Sequence, residues 1–586
     1  MYKKLKRSDI VFIIFGIIAA ALLIRAFYGF CQSDESFYVS TAGRFASGDL
    51  VFADEWHPTQ LAALITMPVY KVYTMITGGT YGIILFFRIL YVLLTLAEAC
   101  LVYRLVSKAC DPVPAFFFAL FLMLYCHLGI PTLSYYTMSF HFFILAFLAV
   151  YPAVCRYKDE NNGISASDGA HRDRKDYSSC VSGGILFALS VLCLPSLALA
   201  YVLVMPVMLI CCIKLRQIRK PLFLFTAGIA ATLAVFLIYL YASGNSIAGL
   251  LANLPYIMSD GEHDRGYVES VKVFFRAISD VFGRIYYLSI VMVILALLTY
   301  VNKRLFRPVS HCILLSDVIL FIYYVVIACR HTGFMNTAMA LFFFPLFFLT
   351  EKKDWYIFLT LFTGGLMFSM TYSLSSFCDL YVLSIGHGIA AAGGIILIWE
   401  YAREKGSYGF RVAAAALMAV FIVITAVLRF SYVYRDDRIT SLNARIASGP
   451  AAGLITTEEH RETYESVLAS IDKYTAEYKK ASNIKGILFS KILPWGYTAS
   501  GLRTAAPDTW RNMISGERLT EYYKKHEKPD LVFVLNAYVA SYESSGDVEA
   551  DPAPNENDLS EGFAEELSSE YEKHEEKDCT VYVRKT

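Results

Sequence analysis

Asp34 and Glu35 stand side by side four residues after the apolar run Asp9–Phe30, and a second acidic group, Asp54 and Glu55 with His57, follows 20 residues later. A carboxylate at the edge of a long apolar segment is costly unless it is paired, hydrated or bound to a ligand. Two acidic groups flanking one stretch suit general acid–base work, one of them taking a proton from a hydroxyl. Glu55 with His57 suits a divalent cation, or a phosphate to be polarised. Each carboxylate taken singly reads equally well as a turn residue. The grouping is what points to chemistry.

Short helices must hold these groups. Phe37, Thr41 and Phe45 recur at helical spacing, so Ser36–Ser47 is expected as an amphipathic helix along an interface, ended by Gly48-Asp49. Residues 59–77 read as a second interfacial or re-entrant helix, closed by Gly78-Gly79.

Beyond this segment the chain is strongly apolar. Of its 586 residues 56% are hydrophobic and only 18% charged, against about 25% charged in ordinary soluble domains. A disordered chain is excluded, and an ordinary soluble enzyme is not expected. Residues 1–434 hold 33 Lys/Arg against 24 Asp/Glu, and 435–586 hold 19 against 27, so a basic apolar part precedes an acidic polar tail. Nucleic acid is not an expected partner. Of the 13 cysteines the tail holds only Cys579, so it must fold on its own core without an internal disulfide.

Apolar runs after Asp9–Phe30 lie at about 81–107, 112–129, 135–155, 181–195, 196–213, 221–243, 284–301, 312–329, 334–350, 356–376, 382–400 and 412–434, thirteen in all. Lys3, Lys4, Lys6 and Arg7 put the N-terminus in the cytoplasm, and alternation then collects the basic short loops on that side. Pro195 divides 181–213 into two short helices. The expected fold class is an all-α polytopic membrane protein of about 13 transmembrane helices (1–434) with a small extracytoplasmic α/β domain (435–586). Loops 31–80 and 244–283 then lie outside the cytoplasm. A carrier has little use for a large first outer loop, whereas an enzyme at the outer membrane face does.

Further candidates follow from that topology. Arg265, Lys272 and Arg276 break the charge rule in loop 244–283, and Glu269–Arg284 patterns as a basic amphipathic helix suited to anionic lipid. Arg330-His331, at the outer end of the ninth run, suits phosphate oxygens. His387 in Gly-His-Gly is a weaker candidate, and His127 and His141 read as packing residues. Glu98 and Asp317 are the main charges within the runs. In the tail, Gly453–Thr456, Gly486–Ser490, Leu531–Leu535 and Thr580–Arg584 pattern as strands, and Thr457–Lys479 and Ser515–His526 as helices. The acidic stretch 541–578 reads as a long flexible loop, and Pro494-Trp495-Gly496-Tyr497 as a packed turn or an aromatic platform for a sugar.

Asp34-Glu35 after helix one, Tyr38, Gly48-Asp49, the Glu55–Pro58 element, the Gly-rich turn and Arg88 at the next helix resemble the polytopic GT-C glycosyltransferases. Among these the likeness is to the bacterial lipid A aminoarabinose transferase type and to the protein O-mannosyltransferases. It covers about 34–88 by motif. The resemblance implies a catalytic base at Asp34, with Glu35 beside it, and a sugar donor on a polyprenyl phosphate. Transfer would go to a glycan, lipid or protein acceptor with inversion at the anomeric carbon. Together with the residue reading above, the candidate binding residues are Tyr38, Asp54, Glu55, His57, Arg88, Arg265, Arg330 and His331, and the spacing of Glu55 and His57 makes that pair the candidate for a divalent metal ion. The Glu-Lys-Pro-Pro element of the aminoarabinose type reads Glu-Trp-His-Pro here, which removes a lysine from the donor-phosphate side. The alternatives are a transporter or flippase of lipid-linked sugars, and a catalytically silent protein of cell-envelope assembly.

Overall fold

Unbroken apolar stretches with capping residues at their ends organise most of the chain. The structure is a computed structural model, which describes residues 7–107, 111–161, 169–202, 219–258, 267–282, 286–327, 361–374, 379–405, 408–480, 486–490, 492–510, 516–535 and 561–585. The helices that matter here are α1 (Arg7–Arg25), α2 (Asp34–Ala46), α3 (Leu61–Thr77), α4 (Ile83–Val106), α5 (Pro112–Leu124), α6 (Tyr135–Asn161), α7 (Gly169–Cys193) and α8 (Arg219–Ala242). After them come α9 (Ile247–Met258), α10 (Tyr267–Phe282), α11 (Tyr286–Val301), α12 (Phe306–Ile327), α13 (Thr363–Ser373), α14 (Asp379–Lys405) and α15 (Tyr408–Ser431). Among the described residues five helices are long and apolar enough to cross a membrane: α1, α4, α8, the Leu383–Arg403 part of α14, and α15. The runs expected at 334–350 and over most of 196–213 lie outside the described residues, as does the end of the one at 312–329.

Local chemistry explains the helix ends. Asp111 accepts from the Val113 N–H and Pro112 follows it, fixing the start of α5. The helix expected to reach residue 129 stops at Leu124, because Tyr125 turns extended and Leu128 and Gly129 take positive φ of 53° and 72°. Gly78, at φ 72°, closes α3 in the left-handed conformation, with its N–H on the Thr74 carbonyl. Helix α7 ends at Cys193, just before Pro195, and helix resumes at 198, as the proline predicts. Helices α7 and α8 touch through Gly184 and Gly228, where a Cβ would strike the other helix's backbone; Gly365 and Gly386 do the same for α13 and α14. Such small-residue seams are how helices pack where no hydrophobic effect drives them together. On α8, Leu233, Val235 and Ile238 remain more than half exposed, a surface that suits lipid.

The C-terminal domain adds a small sheet. Its strands are β1 (Ala444–Arg445), β2 (Ile455–Thr456), β3 (Gly486–Phe489), β4 (Arg503–Thr504), β5 (Leu531–Leu535), β6 (Tyr571–Glu575) and β7 (Cys579–Arg584). The main sheet runs β4-β3-β5-β7-β6, parallel across β4, β3 and β5 and antiparallel across β7 and β6. Helix α16 (Glu458–Lys480) buries Tyr464, Val467, Leu468 and Ile471 on one face, as its pattern predicts. Helices α17 (Pro494–Ser500), α18 (Gly516–Tyr523) and α19 (Glu561–Glu570) complete the domain.

One expectation is corrected here, and one pair of alternatives is resolved in favour of packing. The acidic stretch is not a loop throughout: 561–575 forms α19 and the edge strand β6, while 541–560 lies outside the described residues. Phe563, Leu567 and Tyr571, spaced by four, bury one side of a segment whose charges mask it. Pro494–Tyr497 is interior packing rather than an exposed platform: Trp495 is fully buried and Tyr497 accepts the Phe489 N–H at 3.1 Å.

Candidate functional site

Helix α2 does not lie along a surface. Every side chain from Glu35 to Phe45 is buried. Gly43 lets Tyr70 of α3 close against one side: a Cβ there would sit 2.8 Å from the ring and hydroxyl. The C-terminal domain covers the polar face, where Ser40 donates to the Thr509 hydroxyl at 2.9 Å and Thr41 meets it at 3.1 Å. The amphipathic pattern is real, but its polar side meets hydroxyls from 470 positions away rather than water.

The acids of the loop differ sharply in their partners. Glu35 is fully buried, and both its oxygens accept from Arg88, at 2.5 and 2.6 Å. The third Arg88 nitrogen, Nη1, donates to the Ala26 and Tyr28 carbonyls. That geometry makes the pair a strut between α2 and α4 rather than a proton acceptor open to substrate. Asp34 heads the same helix, where a carboxylate suits the helix dipole. Its Oδ2 forms an ion pair with Arg435 at 3.0 Å and accepts from the Ser33 hydroxyl at 3.3 Å. No hydrogen bond within the described residues engages its Oδ1, and the side chain keeps 15% of its exposure.

The second acidic group is built around Arg44, which the sequence reading passed over. Its guanidinium binds Asp49 at 2.7 Å, Glu55 at 2.9 Å, the Asp54 carbonyl and the Tyr522 hydroxyl. The other Glu55 oxygen accepts the His57 N–H at 3.0 Å. Burial pushes the Glu55 carboxyl up to about 7, with Arg44 pulling it down and Asp508 pushing it further up. Burial also acts to raise Asp54, but hydrogen bonds from His526 and the Leu50 N–H outweigh it and hold that carboxyl below its usual range. His57 accepts the Thr59 N–H at Nδ1 and packs its ring on Phe37, with centroids 4.5 Å apart. For Glu55 and His57 to hold a cation, Glu55 would have to release Arg44. No group of three or more His, Cys, Asp or Glu gathers for a metal among the described residues.

A small cleft of about 10 Å³ lies beside α2. Phe37, Tyr38, Thr41, Gln60, Leu133 and Tyr135 are among its lining residues. Tyr38 and Tyr135 are within electrostatic range of Asp34, and Thr59, bonded to His57, also lines the cleft. Burial raises the Tyr38 hydroxyl pKa, with the neighbouring tyrosines and Asp34 adding to it, so Tyr38 stays a neutral donor.

The C-terminal domain packs against α2 through Thr509 and Trp510. Trp510 packs edge-on to Phe37 at 5.6 Å and lies 6.0 Å from the Arg435 guanidinium, which also faces Tyr434 at 5.3 Å. Asp508 pairs with Arg518 at 3.1 Å, and Arg518 donates to the Trp56 carbonyl at 2.7 Å. Arg435, Thr509, Trp510 and Arg518 were not singled out in the sequence. The one available signal was Arg435, a basic residue immediately after the last apolar run, on the side expected to be poor in positive charge.

Arg265, Arg330 and His331 lie outside the described residues. Lys272 and Arg276 are exposed on α10, which matches the expected amphipathic helix. His387 lies inside α14 rather than at a helix end, and is buried. His127 is buried as expected, whereas His141 is more than packing, since it pairs with Glu98. No family model matches the chain, and no curated protein is detectably similar to it.

Proposed function

We propose that the chain is an integral membrane glycosyltransferase that moves a sugar from a polyprenyl-phosphate donor to an acceptor hydroxyl, with Asp34 as the general base. One observation carries the reading. Asp34 is fixed through Oδ2 alone, Oδ1 is left without a hydrogen bond among the described residues, and Tyr38 and Tyr135, which line a small cleft, lie within electrostatic range of it. Aromatic faces with scattered hydroxyls suit a sugar ring, whose C–H face is apolar and whose edge is polar.

In this reading the acceptor O–H donates to Asp34 Oδ1, and its oxygen attacks the sugar C1. The C1–O bond to phosphate breaks, the polyprenyl phosphate leaves with the bonding pair, and the proton stays on Asp34. The base must lie within hydrogen-bond reach of that hydroxyl, and cationic groups must stabilise the leaving phosphate. On the sequence alone Arg265, Arg330 and His331 take the second role. Glu35 and Arg88 act as positioning residues that aim α2.

The test is transfer of radiolabelled sugars from polyprenyl-phosphate donors by purified protein in lipid nanodiscs, with mass analysis of the products. Asp34→Asn should abolish transfer at an unchanged melting temperature; undiminished turnover would remove Asp34 as the base. A chelator arm decides metal use: loss of transfer restored by a divalent ion supports a cation at Glu55 and His57, and indifference removes it.

A further inference from the structure

Helix α9 (Ile247–Met258) follows α8 after a short turn at 243–246 and divides cleanly into two sides. Asn253 and Ile257 are buried, and Gly249, Leu250 and Tyr256 are half-buried. Ala248, Leu251, Ala252, Leu254 and Pro255 are exposed. At about 100° per residue those five fall within about 160° of arc, directly across the helix from Asn253. Contacts to two distant parts of the chain pin the inner side. Asn253 donates from Nδ2 to the Phe52 carbonyl at 2.9 Å, and its Oδ1 accepts from Lys525 at 2.9 Å. Tyr256 stacks on the fully buried Trp56 with ring centroids 5.0 Å apart, and its hydroxyl donates to Glu521 at 3.3 Å. One side of α9 therefore holds both the first loop and the C-terminal domain.

The outer side inverts the pattern of a helix that faces water, whose exposed side is polar. Residues 247–258 carry no charge, and the five exposed residues carry no polar side chain. Leu251 and Leu254 keep 60% and 42% of their exposure. The connection to α8 says what covers them. Helix α8 is long and apolar enough to cross a membrane, and its last turn presents Tyr241, 85% exposed, a residue type that collects at bilayer surfaces. Helix α9 starts directly after that level, and its 12 residues are too few to cross. Pro255 also removes the N–H that would bond the Leu251 carbonyl, which water and headgroups can satisfy and hydrocarbon cannot. We propose that α9 lies in the plane of the leaflet nearest the C-terminal domain, its Leu251 and Leu254 side among the upper acyl chains, and that it seats the first loop and the C-terminal domain on the bilayer. Such in-plane helices bury their apolar side about 5–10 Å deep. The partner is the acyl zone of the lipid, since no charge on α9 selects a headgroup. The placement does not depend on the transfer reading, because it concerns membrane contact alone.

The experiment uses the full chain in phosphatidylcholine nanodiscs. A photoreactive residue, p-benzoylphenylalanine, replaces Leu251 or Leu254, and in a control it replaces Lys573, exposed on the edge strand β6. All three side chains are exposed, so folding should survive, and an unchanged melting temperature checks it. Illumination joins the benzophenone to a neighbouring C–H bond, and mass spectrometry identifies what was captured. Phosphatidylcholine adducts at 251 and 254, with few at 573, are expected. A second arm is independent of the probe. Leu251→Asp should speed hydrogen exchange around Trp56 and Tyr522 several-fold in nanodiscs, because a carboxylate is driven out of the acyl zone and lifts the helix; on a side that faces water the same change would leave exchange as it was. Cross-links between copies of the chain in place of lipid adducts overturn the lipid assignment. So do an absence of lipid adducts at both leucine positions, equal adducts at 573, or unchanged exchange in Leu251→Asp.

Discussion

Replacing Arg44 by Met removes the centre of a knot that ties the first loop to the C-terminal domain. The guanidinium satisfies Asp49, Glu55, the Asp54 carbonyl and Tyr522 at once, and it is almost wholly buried. Removing one partner of such a buried pair costs about 3–5 kcal/mol, since the other charge is left uncompensated. Glu55 gives the loss a pH signature. Its folded pKa, about 7, lies above the ordinary 4.5, so its contribution to stability is fully present below about 4.5 and is lost as pH rises through 7. Without Arg44 the main group holding that value down is gone, and the folded pKa moves higher. At pH 5 Glu55 is protonated in both proteins, and the deficit is smallest. Above pH 7 the parent ionises Glu55 and the variant does not, so the deficit grows by up to about 1.4 kcal/mol per pH unit. Urea or thermal unfolding of the two proteins from pH 5 to 8.5 measures this. The double variant Arg44→Met/Glu55→Gln should recover much of the loss and flatten the pH dependence. Strictly additive losses with no pH trend would refute the claim that the two side chains are coupled.

Gly43→Ala places a methyl 2.8 Å from the Tyr70 ring and hydroxyl, so it should destabilise by about 1–3 kcal/mol, with Tyr70→Leu in the same chain restoring most of it; a neutral Gly43→Ala would mean that α3 yields without cost. Trp510→Ala removes the edge contact with Phe37 and the face over Arg435, together worth roughly 1–2 kcal/mol. It should speed hydrogen exchange in α2 several-fold, and unchanged exchange would show that the C-terminal domain does not hold that helix.

Local features of this fold were legible because local physics produces them. The proline at 195, the glycines at 78–79 and the helical spacing of Tyr464, Val467, Leu468 and Ile471 each act within a few residues of themselves. The acidic segment 561–575 was misread for the opposite reason. Its charge content is that of a solvated loop, and only three apolar residues at helical spacing mark the buried side. The number of membrane crossings was less legible than the apolar runs suggested. Several runs fold as helices shorter than a bilayer needs, such as Pro112–Leu124, because apolar composition does not distinguish a buried helix from one that spans lipid.

The candidate site shows where sequence reasoning stops. The sequence put Asp34, Glu35 and Tyr38 within five residues of one another, but nothing in their spacing told the two adjacent carboxylates apart. Their difference comes from partners far along the chain: Arg88, 53 positions from Glu35, and Arg435, about 400 from Asp34. Arg88 comes from inside the helix bundle and takes both oxygens of Glu35. Arg435 comes from the junction with the C-terminal domain and takes one oxygen of Asp34. Adjacent residues on a helix point about 100° apart, so one acid is driven into the bundle while its neighbour keeps 15% of its exposure. A loop with a lone carboxylate at this place would have to serve both purposes, and a carboxylate locked for stability cannot also take a proton. If Asp34 is the base proposed above, pairing two acids, and giving each an arginine from a different layer of the fold, separates a carboxylate that holds the helices from one that can take a proton.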